Sequence, residues 1–156
     1  MRNVNFPAKF IVKISNEKRG NGVSHNFIVL KETNVMEIIN WDKGDILRGR
    51  EGTDARHPIV FLEGRDDTYF IGAMITSSSK YKDNIPMLKE HFEKYNRVGK
   101  RHDLYFKNSY LVEAKLLKRL EWKPFRKVGR LTNKGITFVE STMREKYPMV
   151  WEEYLN

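Results

Sequence analysis

Two compact apolar runs at the centre of the chain constrain the fold most. Arg56-His57-Pro58-Ile59-Val60-Phe61-Leu62 and Tyr69-Phe70-Ile71-Gly72-Ala73-Met74-Ile75 are divided by the turn formers Gly64-Arg65-Asp66-Asp67. Short apolar runs bounded by Gly/Asp clusters read as the paired strands of a hairpin. Antiparallel pairing brings the start of the first run beside the end of the second. Arg56 and His57 then lie near Thr76, Ser77, Ser78 and Ser79, a cationic pair beside a row of hydroxyls. Pro58 falls at the start of its strand, where a missing N–H is tolerated.

The rest of the chain reads as further strands with helical segments. Phe10–Ile14 and Asn26–Leu30 are strand-like, and the charged linker containing Gly20-Asn21-Gly22 suits a hairpin loop. Thr33-Asn34 caps a short helix through Val35–Ile39; the alternative is a third strand, because Val and Ile favour sheets. A strand begins at Gly44–Arg48, followed by the Gly49–Ala55 loop. Residues 80–108 form an insertion, with Met87–Lys94 reading as a helix that Pro86 opens and a basic loop at Asn96–His102. Ser109–Arg119 is the longest strand, with Tyr110, Val112, Ala114 and Leu116 on one face. Thr132-Asn133 caps a last helix running to about Tyr147, presenting Ile136, Val139 and Met143; Pro148 stops it.

Charge is placed unevenly. Of the net +9, residues 97–130 hold almost all, with eleven Lys/Arg against Asp103, Glu113 and Glu121. Tyr105, Phe106, Tyr110, Trp122 and Phe125 are interleaved with them. Cations follow a phosphate backbone and aromatic faces stack on bases, so the segment fits a polyanionic partner: RNA, DNA or an acidic protein. The plainer reading is a solvated basic face over core aromatics.

The absence of cysteine rules out disulfides and thiolate metal sites, and fits a reducing, cytoplasmic setting. No apolar run reaches the length of a membrane span, and the N-terminus lacks the continuous apolar stretch of a secretory signal. His91 and His102 have no carboxylate at ligand spacing, so no metal is expected. No Gly-rich nucleotide loop is present and no cofactor is expected.

Lys43-Gly44-Asp45-Ile46, Arg56-His57-Pro58-Ile59-Val60-Phe61-Leu62 and Ile75-Thr76-Ser77 resemble the first three strands of the MazF/PemK toxin family. Lys127-Val128-Gly129-Arg130-Leu131-Thr132 resembles that family's turn before its last helix. The resemblance covers about residues 41–143. It implies a small SH3-like β-barrel and metal-independent cleavage of single-stranded RNA. It also implies a homodimer and a neutralising acidic antitoxin protein. One residue departs from the pattern: His57 stands directly before the proline, where the family has Arg, and Arg56 lies one place earlier.

RNA cleavage without a metal needs a base for the ribose 2′-hydroxyl, an acid for the leaving oxygen and positive charge for the phosphorane. On this reading His57 and Thr76 are the catalytic pair, an imidazole able to move a proton and a hydroxyl that orients the scissile phosphate. Arg50, Arg56 and Ser77 are candidate substrate contacts beside them. Lys118, Arg126 and Lys127 belong to an RNA-facing surface within 97–130. The plainer alternatives are a histidine bonding a loop carbonyl, a β-branched strand end and ordinary loop cations. The same barrel without catalysis would be a module binding nucleic acid or an acidic protein.

The expected architecture is therefore mainly β (α+β) and a single domain over 1–156. It comprises an N-terminal extension with a hairpin (1–40) and a barrel core (41–143) carrying a helical insertion near 80–108. A C-terminal segment (144–156) completes it.

Overall fold

The computed structural model describes residues 11–16, 24–30, 36–49, 57–66, 68–80, 83–119 and 125–156. The chain divides into two compact units between Asp42 and Lys43.

The first unit contains a three-stranded antiparallel sheet in the order β1 (Ile11–Asn16), β2 (Ser24–Leu30), β3 (Met36–Trp41). The expected hairpin is present, with Ile14 opposite Asn26 and Val12 opposite Ile28. The expected helix over Val35–Ile39 is not. From Met36 onward the backbone is a strand, paired so that Phe27 faces Ile39 and Ile28 faces Ile38. A segment this short gains little from helix formation, whereas the open edge of β2 satisfies its backbone groups at once. The capping pair Thr33-Asn34 lies outside the described residues.

The second unit is a six-stranded, wholly antiparallel sheet. Its strands are β4 (Asp45–Arg48), β5 (Ile59–Gly64), β6 (Tyr69–Thr76), β7 (Ile85–Pro86), β8 (Tyr110–Arg119) and β9 (Arg126–Arg130), ordered β7-β8-β6-β5-β4-β9. Among the described residues the α-helices are α1 (Asn133–Met143) and α2 (Trp151–Tyr154), and the protein is mainly β. Among the described residues the pairings run as an open series from β7 to β9 and do not close into a barrel.

The central hairpin is buried on both faces, which explains why its sequence is continuously apolar rather than alternating. Val60, Leu62, Ile71, Ala73 and Ile75 join Ile46, Leu111 and Val128 in one core, covered by Val139 and Met143 of α1. Ile59, Phe61, Phe70 and Met74 are buried as well; the Phe70 ring lies 5.7 Å from Phe61 and meets Phe125 edge-on at 5.3 Å. Register shifts interrupt the ladders at Ile46/Leu47, Phe61/Glu63 and Ala73/Ile75. An irregularity of this kind adds twist and bends the strand that carries it. In β8 Val112, Ala114 and Leu116 are buried as expected, while Leu111, on the opposite face, joins the core under α1 and Tyr110 is half-buried.

The expected helix over Met87–Lys94 is a single 3-10 turn at Lys89–His91. Its flanking backbone groups are engaged elsewhere: Met87 N donates to Ser109 O at 2.9 Å and Glu93 N to Arg130 O at 2.9 Å. Phe92 forms a bridge to Leu131. A segment pinned at both ends to neighbouring strands has no slack to wind up. Pro86 accordingly sits in the short strand β7 rather than opening a helix.

Helix α1 starts where expected. Thr132 Oγ1 accepts from Gly135 N at 3.2 Å and donates to Glu90 O at 2.7 Å, so one hydroxyl caps the helix and ties it to the 3-10 turn. Gly135 belongs there for close approach, because a Cβ at that position would overlap the His91 carbonyl. The helix ends at Met143, one turn short of the expected Tyr147. Beyond it the chain is drawn to β8: Met149 N donates to Lys115 O at 3.0 Å and Leu117 N to Met149 O at 2.8 Å. Tyr147, 85% exposed, has no packing to hold a further helical turn, and Pro148 disfavours one.

Candidate functional site

The reactive end of the central hairpin is assembled by strand register. Ile59 is opposite Met74, and Ile75 N donates to Pro58 O at 2.8 Å. The ladder begins at Ile59; His57 lies in the bend two residues before it, at the end of the hairpin where Thr76 closes β6. His57 is exposed, Thr76 half-buried and Ser77 exposed. On its other side Thr76 pairs with Tyr110 of β8. An exposed imidazole and a strand-end hydroxyl therefore lie at the same end of the central hairpin.

The hydroxyl run after Thr76 is locally organised. Thr76 Oγ1 accepts from Ser78 N at 3.1 Å, Ser78 Oγ accepts from Lys80 N at 3.3 Å, and Ser78 O accepts from Asn84 Nδ2 at 2.9 Å. These are side-chain turns, in which the hydroxyl oxygen holds the following backbone. A hydroxyl used as an acceptor keeps its own proton to donate. Thr76 thus remains competent to hydrogen-bond a phosphate oxygen while its position is fixed by Ser78.

The candidate cations are scattered. Arg50 and Arg56 lie outside the described residues. Lys118 is only 2% exposed, and its ammonium is 5.9 Å from the centre of the Trp151 ring, which places the charge inside the fold. Arg126 Nη1 pairs with Asp103 Oδ2 at 2.7 Å, with both side chains largely exposed. Lys127 Nζ lies 2.7 Å from Asp45 Oδ1.

That last contact belongs to a charge network that sequence reading did not identify. Asp45 is 1% exposed, and its Oδ1 also accepts from Arg130 Nη1 at 2.5 Å. Arg130 Nε lies 3.7 Å from Glu93 Oε1, and Glu93 Oε2 lies 3.9 Å from His102 Nε2. A buried carboxylate requires such compensation, since desolvation without a partner costs several kcal/mol or more. The signal was present in sequence as two basic residues, Lys127 and Arg130, which both fall on β9, but their acid lies 85 residues from Arg130.

A cleft of about 190 Å³ is lined by Lys43, Leu62, Glu63, Ile71, Lys115, Glu140 and Met143. Lys43 pairs with Glu140 at 2.5 Å, and acids and bases balance around an apolar floor. Nothing there singles out a proton donor or nucleophile. Among the described residues no group of three or more His, Cys, Asp or Glu side chains gathers as a metal site would require. No helix among them is long and apolar enough to cross a membrane.

Compared with known proteins, the chain matches no family model, no curated protein and no solved structure.

Proposed function

We propose that this protein is a MazF/PemK-like, metal-independent endoribonuclease that cleaves single-stranded RNA at the His57/Thr76 end of the central hairpin. The observation that carries the reading is an exposed imidazole and a strand-end hydroxyl at the same end of the central hairpin, with Ser77 next to the hydroxyl. His57 takes the proton of the ribose 2′-hydroxyl as that oxygen attacks phosphorus and returns it to the departing 5′-oxygen, leaving a 2′,3′-cyclic phosphate, while Thr76 donates a hydrogen bond to a phosphate oxygen. Arg56 or Arg50 supplies charge to the phosphorane. The SH3-like barrel belongs to the same proposal; its supports are the bulged ladders and the burial of the central strands on both faces. A homodimer, an acidic antitoxin and a cytoplasmic setting complete it.

The test is incubation with mixed-sequence single-stranded RNA in EDTA, beside His57→Ala and Thr76→Ala. Cleavage that survives chelation, leaves cyclic-phosphate ends and disappears in His57→Ala supports the reading. Cleavage that persists in His57→Ala removes the site.

A second reading is favoured by the same end of the hairpin. His57 occupies the position where the toxin family has its Arg. A barrel that binds RNA without cutting it fits that exchange. Intact RNA with salt-dependent binding is the outcome that selects it.

A further inference from the structure

The basic segment divides once its charges are traced. Arg126, Lys127 and Arg130 are paired with Asp103, Asp45 and Glu93, and Lys118 is buried. The charge they carry is largely compensated within the fold. Lys94-Tyr95-Asn96-Arg97-Val98-Gly99-Lys100-Arg101 is different: it holds four cations and no acid. Lys94, Arg97, Lys100 and Arg101 are all exposed, and among the described residues none of them forms an ion pair.

This segment is a built hairpin. Tyr95 and Arg101 form a bridge, His102 N donates to Lys94 O at 3.1 Å, and Asn96 N donates to Lys100 O at 2.8 Å. The Asn96 side chain organises the tip, its Oδ1 accepting from Val98 N at 3.1 Å and Lys100 N at 2.9 Å. Gly99 N donates back to Asn96 O at 3.0 Å, with Gly99 at φ +78°, a conformation that favours glycine. The base is fastened to the body through Glu93, whose N–H bonds Arg130 O and whose carboxylate faces Arg130 and His102.

What the hairpin displays is specific in kind. Tyr95 is 51% exposed with the Lys94 ammonium 5.2 Å from its ring centre, and Val98 at the tip is 85% exposed. An acidic peptide would satisfy the cations, but it does not carry a planar ring with each charge. A single strand of RNA uses both, phosphates on the cations and an unpaired base on the ring.

We propose that the Lys94–Arg101 hairpin is the element that grips single-stranded RNA, with Arg97, Lys100 and Arg101 on phosphates and Tyr95 stacking on a base. It rests on the reading of this protein as one that acts on RNA, but not on catalysis at His57. It also moves the RNA-binding surface away from Lys118, Arg126 and Lys127.

The experiment measures binding of a short fluorescein-labelled, 2′-O-methylated single-stranded RNA to the full chain across a salt series. The 2′-O-methyl group blocks cleavage, so binding is read apart from chemistry. Single-stranded contacts contribute about 0.7 each to the slope of log K against log salt, so the Arg97→Ser/Lys100→Ser/Arg101→Ser variant lowers the slope by about 2. Tyr95→Ala weakens binding by roughly five- to a hundredfold with the slope unchanged, and Tyr95→Phe restores it. Lys146→Ser, whose partner is Glu113 and which lies outside the hairpin, stays within about twofold of the parent. Circular dichroism shows each variant folded.

A triple variant with the parental slope overturns the proposal and leaves the endoribonuclease reading intact. Hairpin-dependent binding without cleavage of unmodified RNA does the reverse. Failure of the parent protein to bind the RNA overturns both.

Discussion

Asp45 and Arg130 are directly opposed in the β4/β9 ladder and joined by their side chains, Arg130 Nη1 donating to Asp45 Oδ1 at 2.5 Å. The acid of the Lys43-Gly44-Asp45 segment and the terminal base of Lys127-Val128-Gly129-Arg130 are thus two halves of one contact. Lys127 reaches the same oxygen atom at 2.7 Å, so the motif residues that invite a functional reading first of all fasten β9 to β4.

Asp45→Asn removes the charge that both cations share. Arg130 is 21% and Lys127 41% exposed, so each regains some water, and the loss is smaller than for a fully buried pair. The expected cost is about 1–3 kcal/mol, read as a lower urea midpoint with unchanged m-value. A double-mutant cycle with Arg130→Met should give a coupling of at least about 0.5 kcal/mol. Additive single effects would show that the pair contributes nothing of its own.

Gly135→Ala sets two effects against each other. In an exposed helix interior, alanine would gain about 1 kcal/mol over glycine. Here the added Cβ overlaps the His91 carbonyl, a backbone atom held by the Thr132 N–H at 3.0 Å. Overpacking against backbone costs about 1–3 kcal/mol and should win. Thermal unfolding of the variant is expected to show a lower Tm; a raised Tm would mean that the 3-10 turn gives way freely.

How much of this was legible in sequence depended on how local the deciding interaction is. The β5/β6 hairpin was legible because its turn, its apolar runs and its end residues lie within one short stretch. Thr132 was legible as a cap for the same reason. Val35–Ile39 was read as a helix with a third strand as the alternative, and Met87–Lys94 as a helix; the partners that decide them, β2, Ser109 and Arg130, are distant in sequence, and from Met36 the alternative is what forms. The basic segment was legible as a charge count but not as a surface. Which cations meet an acid depends on Asp45 and Glu93, and a composition profile holds no record of that pairing.

His91 makes stability depend on pH. Its ring is buried and stacked on Phe138 with centres 4.5 Å apart, and Nδ1 accepts from Leu88 N at 3.2 Å, which requires an unprotonated nitrogen. Burial lowers its pKa from 6.5; Glu90 opposes the shift and Lys134 adds to it. The unfolded chain therefore binds the proton more readily. The contribution is complete above the unfolded value of about 6.5 and is lost as pH falls through the lower folded value. Urea midpoints at about pH 7.5 and about pH 5 should differ more in the parent than in His91→Phe, which keeps the stacking and cannot titrate. Equal differences would mean that burial of His91 exerts no such pull.

Thr76 separates catalysis from scaffolding. Its oxygen holds Ser78 N and its proton is the group proposed to meet the phosphate. Thr76→Ser keeps both functions; Thr76→Val keeps the β-branched shape and loses both. Asn84 still fastens the turn through Ser78 O, so the fold of the variant should survive, with a loss of about 1 kcal/mol for the missing hydrogen bond. On the endoribonuclease reading, Thr76→Ser cleaves RNA within about tenfold of the parent. Thr76→Val loses at least about a hundredfold, as removal of a transition-state hydrogen-bond donor does elsewhere, while RNA affinity stays within about twofold. Cleavage by Thr76→Val at the parental rate would leave Thr76 as a turn residue and move the phosphate contact to another side chain.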